Sequence, residues 1–85
     1  MKVEEYIREL AEQEFRNNLL RVDFFGPYDG FDAMAEVVLQ HDEDDDVILD
    51  KLTKIYFTAR GKGLFVPVSW VVAEWADDGV DSPAD

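Results

Sequence analysis

Five consecutive carboxylates, Asp42 to Asp46, most limit how this chain can fold. Moving several unpaired carboxylates out of water together is strongly unfavourable. We therefore expect this run, with His41 before it, to lie on the surface between two elements of secondary structure. Asp46 is placed to cap a short helix whose apolar residues begin at Ile48.

The run belongs to a longer acidic block. The chain has 85 residues, with 20 acidic and 8 basic side chains and a formal net charge of -12. Residues 22–50 contain ten acids and no base, residues 51–62 contain four bases and no acid, and residues 63–85 contain five acids and no base. The surfaces of small domains usually intersperse the two signs. We expect such a chain to be repelled by nucleic acids and anionic membranes and to bind basic surfaces.

Composition predicts a folded domain. Hydrophobic residues make up 47% of the chain and aromatic residues 13%, whereas a disordered acidic segment is poor in both. The length predicts one compact domain over residues 1–80 and a loose acidic tail over residues 81–85. The absence of cysteine excludes a disulfide scaffold, a zinc finger and a thiol nucleophile. No apolar run approaches the ~18 residues of a membrane span and the N-terminus lacks a signal-peptide core, so we expect a cytoplasmic protein.

The first part of the chain has clear periodicities. Apolar residues follow the three-four spacing of one buried helical stripe over residues 3–17, and Asn17 and Asn18 can end that helix. Residues 20–24 alternate apolar and charged side chains, which is typical of a half-buried strand. A second helix is predicted over residues 31–40, with Asp32 and Glu36 on the face opposite its apolar residues.

The segment from Lys54 to Val68 has two interpretations. Its β-branched and aromatic residues favour a β-hairpin around a turn at residues 60–63, whereas one helix from Val47 to Arg60, ended by Gly61, is the alternative. We favour the hairpin, followed by a last helix over residues 70–76. The resulting fold class is α+β, with a three-stranded antiparallel sheet packed by two to four helices.

Aromatic residues divide into two groups. Those in periodic segments, Phe57 among them, are expected in the core. The other group lies on opposite strand faces or in a turn and is expected to be more exposed, where aromatic side chains can anchor an interface. It consists of Phe25, Tyr28, Tyr56 and Phe65.

Residues suited to catalysis are scarce. His41 is the sole histidine, and its neighbours are solvated aspartates rather than a pocket with an orienting partner. Asp42, Asp44 and Asp46 match the start of an EF-hand loop, but Val47 stands where the loop needs glycine, and the bidentate glutamate is absent. We predict no enzymatic activity, no cofactor and no metal site.

An array of carboxylates can imitate a nucleic acid. Duplex DNA presents one phosphate per about 3.4 Å of axis on each strand. Residues four apart on a helix lie about 5–6 Å apart, and alternate residues on an extended segment lie about 6.6 Å apart. Asp32 with Glu36, or Asp42 with Asp44 and Asp46, can therefore place carboxylates at roughly the spacing of successive phosphates.

In size, charge and lack of catalytic residues, the whole chain resembles the small phage-encoded mimics of nucleic acids, which include anti-CRISPR and antirestriction proteins. The resemblance rests on overall character and on no specific motif. It implies an acidic, monomeric inhibitor of a basic nucleic-acid-binding protein in a bacterial host cell, with a CRISPR effector complex as the favoured target. The expected contact residues are Asp29, Asp32, Glu36, Asp42, Glu43, Asp44, Asp45, Asp46, Asp77 and Asp78.

Two other functions fit the same composition. Small immunity proteins that neutralise basic nuclease toxins share this size and charge. A halophile's acidic surface on an ordinary domain is the third interpretation, although half of the eight bases are lysine, which halophilic chains avoid.

Overall fold

The computed structural model describes residues 2–26 and 30–74. Within these two ranges, two α-helices and three strands follow one another, with a short 3₁₀ turn after the first helix. In chain order the elements are α1 (Val3–Phe15), the 3₁₀ turn (Arg16–Asn18), β1 (Leu19–Phe25), β2 (Met34–Leu39), α2 (Asp45–Gly61) and β3 (Val68–Val72).

The three strands form one sheet with β2 in the centre. β1 and β2 are antiparallel, with Phe25 opposite Met34, while β2 and β3 are parallel, with Val37 opposite Trp70. The α+β class and the three-stranded sheet are confirmed. The expectation that the sheet is antiparallel throughout is wrong for one pair, since β2 and β3 are parallel. They are parallel because α2 crosses from the end of β2 back to the start of β3.

Both helices cover the same face of the sheet and share one hydrophobic core with it. The predicted stripe of α1 is confirmed, since Ile7, Ala11 and Phe15 are buried along it. In β1 and β2, the side chains on the face towards the helices belong to this core. The remaining core residues are Val22, Ala35, Val37, Leu39, Ile48, Leu52, Ile55, Ala59 and Val66.

The predicted helix over residues 31–40 is wrong. Residues 34–39 form the central strand β2, and Val38 is only 2% exposed although it faces away from the helix layer. A central strand that is buried on both faces carries a continuous apolar run rather than an alternating one. The run Val37-Val38-Leu39 has this character, and its two β-branched residues favour a strand.

The predicted hairpin between residues 55 and 68 is also wrong, because residues 45–61 form the continuous helix α2. Ile48, Leu52, Ile55 and Ala59 bury one stripe at helical spacing. That burial outweighs the weak β preference of the β-branched and aromatic residues in the segment. The helix predicted from Asp46 is thus the first part of α2.

The last predicted helix begins where the structure has a strand. β3 occupies residues 68–72, so the helix is wrong over residues 70–72, whereas residues 73–74 are helical. Residues 75–76 and the acidic tail at 81–85 lie outside the described residues. Pro67, just before β3, accepts a hydrogen bond from the amide of Ala35 at 2.9 Å and so joins the sheet without needing a donor. Across the described part of the chain, no helix has the length and apolarity needed to cross a membrane.

Candidate partner-binding surface

The exposed acids collect where β2 leads into α2. Asp42, Asp44, Asp45 and Asp46 are exposed in the connecting loop and the first turn of α2, and Asp50 is exposed one turn further along the helix. We call these five residues the acidic cluster. Asp50 was absent from the predicted contact residues, although its i,i+4 spacing from Asp46 would have placed it beside that residue on a helix.

The start of α2 stabilises three members of the cluster locally. The N-cap residue is Asp44 rather than the predicted Asp46, because the helix already begins at Asp45. The Oδ1 of Asp44 accepts a hydrogen bond from the amide of Asp46 at 3.1 Å. Asp45 and Asp46 lie in the first turn, where the positive end of the helix dipole favours negative side chains. A dense group of carboxylates is therefore compatible with a stable helix at this position.

Glu43 differs from its neighbours because its side chain is half-buried. Its Oε2 accepts a hydrogen bond from Asn18 Nδ2 at 2.5 Å, and its Oε1 pairs with Lys51 Nζ at 3.1 Å. Burial raises the pKa of Glu43, but the hydrogen bonds from Asn18 and Lys51 and the charge of Lys51 outweigh it and hold the pKa below its ordinary value. Glu43 thus joins the acidic loop to the body of the protein.

Asn18 is the second anchor of this loop. Its Nδ2 also donates to the carbonyl oxygen of His41 at 3.0 Å, and its Oδ1 accepts from the amide of His41 at 2.8 Å. Its own carbonyl oxygen accepts from the amide of Gln40 at 2.8 Å. The sequence suggested only that Asn18 ends a helix, and no local pattern identifies partners that lie more than twenty residues away. The imidazole of His41 is exposed, as expected.

Two other predicted contact residues lie elsewhere. Asp32 precedes β2, and its Oδ2 accepts a hydrogen bond from the amide of Phe65 at 2.6 Å, while its own amide donates to the Phe65 carbonyl oxygen at 2.9 Å. Glu36 lies within β2, on the face away from the helices and opposite Asp23. The expectation that Asp32 and Glu36 share one helical face is therefore wrong.

The predicted contact residues do not all come together. The six residues of β2 separate Asp32 from the acidic cluster, which corresponds to about 17 Å along a strand. Asp29, Asp77 and Asp78 lie outside the described residues. Within the described ranges, the acidic cluster is the place where the predicted residues are neighbours.

Apolar side chains are exposed on the same helix. Phe57 was expected in the core, but it is 63% exposed, and Leu49 is 48% exposed. They line a shallow groove between α2 and the start of β3, together with Tyr56, Pro67 and Val68. Sequence reasoning missed this groove because it placed the aromatic residues of the segment in a hairpin.

The described surface is distinguished by its charge and by the groove beside α2. Among residues 2–26 and 30–74, no polar or charged side chain is buried, and no three histidine or acidic side chains are grouped so that they could hold a metal ion. What the arrangement can do is attract and orient a positively charged partner.

Compared with protein-family models, curated proteins and solved structures, the chain gives no significant match.

Proposed function

We propose that this chain is an acidic inhibitor that occupies the basic nucleic-acid-binding surface of another protein. It acts as a monomer in the cytoplasm of a bacterial host cell, and its favoured target is a CRISPR effector complex. The observation that carries the proposal is the acidic cluster, whose exposed carboxylates lie on a loop and a helix start that hydrogen bonds hold in place.

Electrostatics gives such a cluster a defined role. One exposed ion pair is worth only about 0–1 kcal/mol, so binding must come from several carboxylates acting together. Their common field accelerates encounters with a basic groove, and it is screened over about 8 Å at physiological ionic strength. Fixing the loop through Asn18 and Glu43 reduces the entropy that the partner would otherwise have to remove.

The proposal can be tested with a charge-neutralised variant that keeps the helix cap. Asn caps a helix about as well as Asp, so the combined changes Asp42→Asn, Asp44→Asn, Asp45→Asn and Asp46→Asn remove four charges and keep the cap hydrogen bond. The cost in folding is the helix-dipole contribution of the last three residues, about 0.3–1 kcal/mol each. Reversal to lysine would be a poorer experiment, because lysine at position 44 would also remove the cap.

A matched control removes four exposed acids from α1 instead. Glu4→Gln, Glu5→Gln, Glu9→Gln and Glu12→Gln change the net charge by the same four units, and this set also includes two first-turn residues. The assay is competition with fluorescent target DNA for purified CRISPR effector complexes at several salt concentrations.

We expect the unmodified chain to displace DNA less well as salt rises. The variant in the acidic cluster should lose at least about tenfold in potency, while the control stays within about threefold. If the two variants lose potency equally, net charge rather than the acidic cluster is responsible. Failure to displace DNA at low salt from any effector, with tight binding to a nuclease toxin instead, would replace the inhibitor proposal with the immunity function.

A further inference from the structure

The solvent-facing side of α2 joins acidic and apolar residues in one stripe. Leu49 and Asp50 lie three and four residues after Asp46, Thr53 lies four and three residues after them, and Phe57 lies four residues after Thr53. These five residues therefore lie along one side of the helix. The buried residues of α2 lie on its opposite side, against the sheet. The stripe thus changes from charged at the start of the helix to apolar towards its end.

The apolar end of the stripe borders a groove that can accept a side chain. Leu49 and Phe57 border one side of the groove, and Pro67 and Val68 border the other. Tyr56 lies edge-on to Phe57, with ring centroids 5.1 Å apart, and also edge-on to Phe65 at 6.1 Å. Phe57 thus packs against a ring that is itself held by Phe65, so less side-chain entropy is lost on binding.

From this combination we infer that the groove binds a large apolar side chain that lies next to lysine or arginine in the partner. The inference rests on the proposed function and names the segment of the basic partner that the chain recognises. The basic residues of that segment lie at Asp46 and Asp50, and its apolar side chain enters beside Phe57. Interfaces generally combine such a buried apolar anchor with a charged rim.

Charge complementarity also fixes the direction of the segment. The end of α2 carries Arg60, whose guanidinium carbon lies 5.1 Å from the centroid of the Phe65 ring, and Lys62 follows it. The basic part of a partner segment is therefore repelled from this end and attracted to the start of the helix. A second copy of the chain is a poor occupant, because it would bring another net charge of -12 to the groove.

Two synthetic peptides can test the inference without prior identification of the target. Both contain alternating lysine and serine, and one has a central tryptophan where the other has serine. Titration of isotopically labelled protein, followed by amide chemical shifts, gives the affinity and the location of each peptide.

We expect both peptides to shift the amides of Asp42 to Asp50. Only the tryptophan peptide should also shift those of Thr53, Phe57 and Val68, and it should bind at least about fivefold more tightly. The variant Phe57→Ala should remove this gain. Phe25→Ala, which truncates a residue that is 47% exposed on a strand away from the groove, should leave it intact.

The outcomes separate the two proposals. Equal affinity of the two peptides, or extra shifts around Phe25 and Met34 instead of the groove, would overturn the inference while the acidic cluster kept its proposed role. Absence of shifts at the acidic cluster with either peptide at low salt would contradict the proposed function itself. Thermal melting of both alanine variants shows whether each is folded, because exposed residues should tolerate the truncation.

Discussion

The N-cap of α2 offers the sharpest test of the structure, because Asp44 has a local role that differs from that of its acidic neighbours. Its Oδ1 accepts a hydrogen bond from the amide of Asp46, whereas Asp42 makes no cap and is exposed in the preceding loop. Three substitutions separate these contributions: Asp44→Ala, Asp44→Asn and Asp42→Ala. Each changes the net charge from -12 to -11, so general charge repulsion changes about equally in all three.

The expected magnitudes follow from this geometry. Asp44→Ala removes the cap hydrogen bond, which is worth about 1 kcal/mol, and also a negative charge beside the helix dipole, worth about 0.3–1 kcal/mol. Asp44→Asn keeps an acceptor oxygen and loses only the charge. Asp42→Ala loses neither contribution. For a domain of this size, 1 kcal/mol corresponds to about 4–8 °C in Tm.

Thermal and urea unfolding at pH 7, followed by far-ultraviolet circular dichroism, measures the three variants against the unmodified chain. Tm should fall by at least about 4 °C for Asp44→Ala, by about half as much or less for Asp44→Asn, and hardly at all for Asp42→Ala. If alanine and asparagine at position 44 gave equal stability, Asp44 would not be the cap, and the start assigned to α2 would be in error.

Three further substitutions test contacts away from the cap. Glu43→Gln should lower the free energy of unfolding by about 1–2 kcal/mol at pH 7. Because folding lowers the pKa of Glu43, its carboxylate stabilises the fold above the ordinary pKa of 4.5, and this stabilisation is lost as the pH falls below that value. In urea unfolding, the difference in stability between this variant and the unmodified chain should therefore be smaller at pH 3 than at pH 7. An equal difference at both pH values would contradict the lowered pKa. Asp32→Ala should lower the free energy of unfolding by about 1 kcal/mol, and Asp32→Asn by much less, because asparagine keeps an acceptor for the Phe65 amide. If urea unfolding showed the same loss of stability for both variants, that hydrogen bond would be excluded. Ile55→Ala should cost about 2–5 kcal/mol in the same melts, because Ile55 is fully enclosed in the core, and a loss under 1 kcal/mol would be inconsistent with that position.

Sequence reasoning succeeded where structure is determined locally. The helix α1 and the strand β1 were predicted because a three-four spacing and an alternation each correspond to one kind of amphipathic element. The exposure of residues 42–46 followed from the cost of desolvating adjacent charges. None of these predictions required knowledge of a distant part of the chain.

Sequence reasoning failed where the structure of a segment depends on the distant elements that pack against it. Residues 37–39 form an apolar run that fits a buried helix or a central strand equally well, and only the flanking strands β1 and β3 select the strand. Residues 45–61 contain good strand formers, yet the face containing Ile48 and Ile55 packs on α1 and the sheet as a helix. Asn18 and Asp32 have their partners more than twenty residues away, so no local pattern indicates their roles.

The acidic block itself illustrates how sequence order and spatial order differ. Residues 22–50 form an uninterrupted negative block in the sequence, but β2 carries the chain across the sheet within that block. Asp32 therefore lies at one end of the strand and the acidic cluster at the other. The number of acids in the sequence consequently overstates how many can contact one partner at the same time.

Helix formation explains only part of the acidic cluster. A capping residue and two first-turn acids stabilise α2 on their own, so the presence of Asp44, Asp45 and Asp46 needs no partner. Asp42 lies before the cap, and Asp50 lies beyond the first turn, where the dipole effect has faded. Among residues 2–26 and 30–74, neither carboxylate accepts a side-chain hydrogen bond or forms an ion pair, unlike Asp44 and Glu43. Each adds to the repulsion in a chain that carries a net charge of -12. Asp42→Asn and Asp50→Asn should therefore weaken binding to a basic partner without lowering stability, and these two positions distinguish a binding surface from a well-capped helix.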